Sequence, residues 1–175
     1  MSFSASMLQP MASRLVIKSS RLPPMWRLLS FQARNFTALP RAQAKKYTKD
    51  HEWINVSEDG KTGLIGISKY ASDALGEVVY VELPEVPMSV TAGDSIGAVE
   101  SVKSASDINS PVTCTITSVN KRLEETPKTI NEGPEEESST GGWIAKVELG
   151  ESGIQDLQDL MDPQQYKEFT EQDSH

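Results

Sequence analysis

Residues 97–111 read GAVESVKSASDINSP. The apolar residues from Ile96 to Glu100 predict a strand, and residues 112–119 predict another. What lies between them, residues 101–111, is short enough for a hairpin with Lys103 or a near neighbour at its tip. Lys103 is the only basic residue between Tyr70 and Asn120, a stretch that holds seven acids, and small residues surround it in Ser101-Val102-Lys103-Ser104-Ala105-Ser106. The amine should be exposed. An ordinary role would be a weak pair with Glu100 or protection of a sheet edge. An amine on a four-carbon stem at a rigid tip also suits acylation, because the amide removes the charge and lengthens the arm.

The chain from Tyr47 onward consists of short β-rich segments punctuated by turns, which predicts a small sandwich or barrel. Trp53, Ile54 and Val56 belong to a first strand, and Glu58-Asp59-Gly60 turns it into Leu64-Ile65-Gly66-Ile67. Ser68 can cap a short helix in which Ala71, Ala74 and Leu75 share a face, and Gly76 is placed to end it in a left-handed conformation. Residues 78–83 are rich in β-branched side chains and stop at Pro84, and Pro87 argues against further sheet pairing there.

Residues 132–142 contain three consecutive glutamates and should form a solvated, mobile loop. Residues 143–147, WIAKV, alternate as a final strand. Ser152-Gly153-Ile154-Gln155 has capping-box spacing, with Ile154, Leu157, Leu160 and Met161 as the apolar stripe of a helix behind it. Asp162 followed by Pro163 restarts a helix that offers Tyr166 and Phe169.

The 175 residues allow one ordinary domain and little more. The net charge of −8 is unevenly distributed. Residues 1–44 hold six basic groups and no acid, leaving 11 basic against 25 acidic groups, or −14, for the rest. An acidic body argues against binding DNA or RNA, since that affinity comes largely from Lys and Arg neutralising phosphates. Cys114 is the single cysteine, which excludes an internal disulfide, a cysteine-based zinc site and a CxxC pair. No apolar run is long enough to span a membrane as a helix. His51 and the terminal His175 are the only histidines, too few for a catalytic triad or a histidine metal cluster, and His51 beside Trp53 reads as structural. No glycine-rich phosphate loop follows a predicted strand.

The first 44 residues are Arg-rich, Ser-rich and acid-free, with Arg14, Lys18 and Arg21 on one side of a helix and Leu8, Met11 and Leu15 on another. That is the pattern of an organelle transit peptide, read here as mitochondrial, with Arg34-Asn35-Phe36 before Thr37 resembling a matrix-peptidase site. The expected organisation is a transit peptide over 1–36, a linker over 37–46, a β domain over 47–150 and a helical C-terminal segment and tail over 151–175.

The stretch first quoted, with its VESVKSASD core, resembles the lipoyl-lysine hairpin of the glycine cleavage system H protein family. KYTKDHEW (46–53), GISKYASDALG (66–76), LGEVVYVELP (75–84), Ile130-Asn131, Gly142-Trp143 and the C-terminal helix with Tyr166 fall in that family's order. The presequence resembles that of mitochondrial members and the acidic tail that of plant ones. The resemblance implies a mainly β fold, a lipoyl-type barrel-sandwich hybrid with the lysine on a hairpin, a short internal helix and a C-terminal helix. It implies a carrier with no turnover of its own, holding lipoate as an amide on Lys103. The arm would take the aminomethyl group of glycine from a pyridoxal-phosphate glycine decarboxylase, deliver it to an aminomethyltransferase, and pass reducing equivalents to dihydrolipoyl dehydrogenase. By the same resemblance, Glu100 and Ser101 help lipoylating enzymes read the hairpin, and Glu52 and Asp107 line the cleft where the loaded arm rests. Carboxylates suit a protonated amine there.

Three features depart from the family pattern: Cys114 at a customary Gly, Lys128-Thr129 for a common Gly-Leu, and a longer connection over 135–141. A Cβ at position 114 could require a different turn. A biotinyl module would place Met on both sides of the lysine, and a 2-oxo-acid dehydrogenase lipoyl domain would place Asp before it; Val102 and Ser104 fit neither. A diverged relative acting as a lipoyl donor or a structural binder, without supporting glycine cleavage, remains the alternative.

Overall fold

The computed structural model describes residues 45–173. The expected transit peptide over 1–36 and most of the linker lie outside the described residues, as does His175. The elements in chain order are β1 (Lys46–Tyr47), β2 (Glu52–Val56), β3 (Thr62–Ile67), α1 (Lys69–Leu75), β4 (Val78–Glu82), β5 (Met88–Val90), β6 (Ser95–Ser101) and β7 (Ala105–Asn109). They are followed by β8 (Cys114–Val119), α2 (Arg122–Glu125), α3 (Thr129–Glu132), β9 (Ala145–Leu149), α4 (Glu151–Asp156) and α5 (Pro163–Asp173).

The strands form a six-stranded sheet in the order β1-β2-β3-β9-β8-β5 and a three-stranded sheet in the order β4-β6-β7, all paired antiparallel. This mainly β arrangement with short helices is the one expected. Ile54, Ile65 and Ile116 from the larger sheet pack with Val78, Val99 and Ile108 from the smaller one in a common core. Burying such side chains contributes roughly 1.5–3 kcal/mol each. Tyr47, Trp53 and Tyr166 make a second apolar cluster, in which the Tyr47 and Tyr166 rings stack with centroids 4.3 Å apart.

Several expectations are corrected. The return strand of the lysine hairpin is β7, whereas residues 114–119 cross to the other sheet as β8. Pairing does continue past Pro87, because β5 joins β8 rather than prolonging β4. Strand β1 takes Lys46, the last residue of the expected linker. The final strand starts at Ala145, not Trp143.

At the C-terminus, α4 has Gly150 at its N-cap with no side-chain bond, so Ser152 is no cap, and Ile154 is exposed. The capping box sits ten residues later. The Asp162 carboxylate accepts from the N–H groups of Gln164 and Gln165, each at 2.9 Å, while Gln165 Oε1 accepts from Asp162 N–H at 2.9 Å.

The glutamate run is held rather than loose. Glu135 accepts from the Tyr47 hydroxyl at 2.8 Å and from Lys69 N–H at 3.0 Å. Glu137 pairs with Lys45 at 2.8 Å and accepts from Asn55 at 2.8 Å. Desolvation opposes ionisation of Glu137, but the bonds from Lys45 and Asn55 outweigh it and hold its carboxyl below the usual range. Cys114 sits buried in β8, paired with Leu149 and Val90, so the strand accepts its Cβ without a special turn.

Candidate functional site

The hairpin of β6 and β7 pairs Gly97 with Ile108, Ala98 with Asp107, Val99 with Ser106 and Glu100 with Ala105. Gly97 is required here by close approach, since a Cβ on it would lie 2.2 Å from the Glu82 carbonyl oxygen of β4. Val102 and Lys103 form the tip. Ser101 builds it from within: its hydroxyl accepts from the N–H groups of Lys103 (3.1 Å) and Ser104 (3.0 Å) and donates to the Ser104 carbonyl at 3.0 Å. Ser101 N–H donates to that same carbonyl at 2.7 Å. A tip tied this way is rigid, which is what a presented side chain needs.

Lys103 is exposed, and its amine has no hydrogen bond or ion pair among the described residues. It therefore does not pair with Glu100, which is itself exposed and whose carboxylate has no partner among the described residues. The lysine stem crosses Gly76, where a Cβ would lie 3.1 Å from both Cε and Nζ. Gly76 has φ 78 and ψ −150, a conformation that L side chains rarely adopt. It ends α1, whose start is capped by Ser68 accepting from Ala71 N–H at 3.2 Å.

The segment after the helix is secured by Asn131 of α3, whose amide bonds the Gly76 carbonyl and Val78 N–H. The tip is tied to this segment by Val102 N–H donating to the Glu77 carbonyl at 3.1 Å. Lys128 pairs with Glu77 at 2.5 Å, so one of the departing residues also supports this junction.

A cleft of about 300 Å³ opens between α1, the start of β2 and β7. Ala71, Ala74 and Leu75 line it, with Ile67, Val99 and Ile108. Of the predicted face of α1, Leu75 is buried in the core and Ala71 packs against it, and both line the cleft together with Ala74; Ser72 is buried as well. Ser104, next to Lys103, lies on the opposite wall. Apolar walls beside an unpaired amine fit an alkyl arm carried on that amine.

The two predicted acids both line this cleft, but they differ in state. Asp107 is exposed. Glu52 is 1% exposed, with Oε1 accepting from Asn109 N–H at 2.9 Å and Oε2 bonded to the Thr48 hydroxyl. Asp50, which sequence reasoning missed, is a third acid on the lining; it is exposed and without a partner among the described residues. Its neighbour His51 also lines the cleft, has φ 73, and is held through Nδ1 by the Tyr166 hydroxyl at 2.8 Å. Alternation in residues 46–53 gave no sign of Asp50, because the positive φ of His51 interrupts the strand there. Glu100 and Ser101 lie at the hairpin rather than on the cleft lining.

No cluster of His, Cys, Asp and Glu among the described residues is arranged to hold a metal ion, and no described helix is long and apolar enough to cross a membrane.

A family model described as Glycine cleavage H-protein matches residues 45–173. Among curated proteins, the mitochondrial glycine cleavage system H protein of Saccharomyces cerevisiae is 47% identical over 126 residues, covering 71% of this chain and 71% of the relative. The mitochondrial glycine cleavage system H protein 2 of Arabidopsis thaliana is 48% identical over 128 residues, covering 73% and 77%. The glycine cleavage system H protein of Thermotoga maritima is 43% identical over 129 residues, covering 74% and 98%. Among solved structures, a glycine cleavage system H protein from Mycobacterium marinum superposes with a TM-score of 0.59 at 34% identity, covering 76% of this chain and 98% of that one.

Proposed function

This chain belongs to the glycine cleavage H-protein family, and from that premise we propose that Lys103 is the residue that carries its lipoate. Members of the family are lipoyl carriers and not catalysts, so the chain is a non-catalytic component of the glycine cleavage system. Bound lipoate supplies the chemistry, a disulfide that accepts the aminomethyl group of glycine and whose reducing equivalents are later withdrawn.

The observation that carries the assignment to Lys103 is its exposed, unpaired amine on a braced tip beside an apolar cleft. Ala71, Ala74 and Leu75 would exclude water along the arm. Asp107, with Asp50, would attract a protonated amine at its end, while Glu52 fixes the wall through Asn109. Ser101 would serve lipoylating enzymes by shaping the tip and Glu100 by presenting a free carboxylate. The partners of this reading are glycine decarboxylase, aminomethyltransferase, dihydrolipoyl dehydrogenase and the lipoylating enzymes. The eukaryotic relatives are named mitochondrial, and we place this protein in the mitochondrial matrix.

Intact mass of the lipoylated chain and of Lys103→Arg tests the assignment: acylation should be lost in the variant, and acylation retained there would overturn it. A reconstituted glycine–bicarbonate exchange with glycine decarboxylase separates the two functional readings. Exchange supported by the loaded chain marks the carrier, whereas failure returns the donor or structural binder.

A further inference from the structure

Beside the lysine hairpin lies an apolar surface that the described residues leave exposed. Val79 is 50% exposed, Tyr80 53% and Val102 72%. In a regular strand successive side chains alternate between faces, so two neighbours should not both point outward. The register explains the exception. Val78 pairs with Ser101 but Tyr80 pairs with Glu100, so Val79 is an extra residue opposite β6. This bulge presents Val79 and Tyr80 together between the buried Val78 and Val81. Bulges of this kind re-aim side chains beside functional sites.

The bulge stands at the foot of the hairpin. Tyr80 lies across from Glu100, and Val102 is held to the start of β4 by the Glu77 carbonyl. Together these residues put exposed apolar side chains and the Glu100 carboxylate at the foot of the hairpin that carries Lys103. Large apolar side chains at such exposure contribute nothing to the core, and tyrosine is enriched where protein surfaces meet.

We propose that Val79, Tyr80 and Val102, with Glu100 at their margin, form the docking surface for the enzyme that acylates Lys103. The matching surface on that enzyme is an apolar depression bordered by a cationic side chain, the complement of Tyr80 beside the unpaired Glu100. The inference rests on the reading of Lys103 as the lipoyl lysine.

Reach selects this partner from those that meet the arm. In acylation the neutral Nζ attacks the carbonyl carbon of lipoate activated as a phosphoric anhydride. An N–C bond forms, the anhydride C–O bond breaks, the phosphate side leaves with the electron pair, and the amine's proton goes to solvent without oxidation or reduction. That reaction centre must come to the end of the bare four-carbon stem, within contact of the hairpin foot. Enzymes acting on the loaded arm meet its far end, beyond the whole acyl chain.

The test uses the unlipoylated full chain with a lipoate–protein ligase, lipoate and ATP, read by intact mass. The double variant Val79→Ser, Tyr80→Ser should raise KM for the carrier about tenfold, a loss typical of central interface aromatics. kcat and the thermal midpoint should be unchanged, and loading should still reach completion at saturating carrier. Once loaded, the variant's arm should be turned over by dihydrolipoyl dehydrogenase at the wild-type rate. Tyr80→Ser alone, a smaller change, should raise KM in the same direction. A KM within twofold of wild type in both variants would overturn the docking surface, and so would equal losses with the ligase and the dehydrogenase. Wild-type chain that takes no lipoate at Lys103 would instead overturn the underlying reading.

Discussion

The amide of Asn131 donates to the Gly76 carbonyl at 2.7 Å and accepts from the N–H of Val78 at 2.9 Å, bracketing the segment over which Lys103 lies. Its Nδ2 also reaches the Ser72 hydroxyl at 3.3 Å. Asn131→Ala leaves the N–H of the buried Val78 without its partner, which costs about 1–3 kcal/mol. Denaturant unfolding should show that loss, and hydrogen exchange should speed up at Val78 and Val102 more than in the larger sheet.

Gly76→Ala places a side chain in a conformation reserved for glycine and against the lysine stem. Stability should fall by about 1–3 kcal/mol. Lys103 must also leave its place, so the rate of its acylation should change more than in Asn131→Ala. Calorimetry and intact mass against time check the two effects separately.

Thr129, which stands where the family commonly has Leu, is buried, and its hydroxyl has no hydrogen-bond partner among the described residues. Thr129→Val keeps the shape and removes the orphaned hydroxyl. The variant should be more stable by about 1 kcal/mol, whereas Thr129→Ser, which keeps the hydroxyl and loses a methyl, should be less stable. Urea midpoints of the three chains decide it.

Alkaline pH should unfold the protein through its stacked tyrosines. Burial, then the nearby charge of Glu135, pushes the Tyr166 phenol up to about 12 even though the Ser68 bond opposes this, and burial with Glu135 raises Tyr47 as well. The unfolded chain releases the Tyr166 proton near its ordinary value of 10.0 while the folded chain holds it. The stabilising contribution is therefore full below pH 10.0 and is lost as pH rises toward about 12. Tyr166→Phe removes bonds to His51 and Ser68 and should cost about 1–3 kcal/mol at neutral pH. Its stability should then decline less steeply above pH 10.0, so the two curves converge, as circular dichroism melts across pH would show.

Local chemistry was legible where one or two residues decide the backbone. The Asp59-Gly60 turn, the Ser68 cap, the positive φ of Gly76 and the exposed tip at Lys103 all follow from residue type. Strand β7 was not legible, because Ala-Ser-Asp-Ile-Asn has one buried apolar side chain, Ile108, and owes its conformation to pairing with β6. The glutamate run was misread for a related reason: the partners that hold Glu135 and Glu137, Tyr47 and Asn55, lie 88 and 82 positions away. Capping at Ser152 failed because the close approach of Gly153 to the Thr113 carbonyl, where a Cβ would lie at 2.2 Å, sets how α4 begins.

The bond from Glu52 to Asn109 joins β2 of one sheet to β7 of the other. The cleft takes one wall from each of these strands, so sliding of the sheets past each other would change its width. A buried carboxylate ties the two walls together across a core that both sheets share. With lipoate on Lys103, each partner enzyme would be offered the same aperture, and the travel between them would fall to the arm.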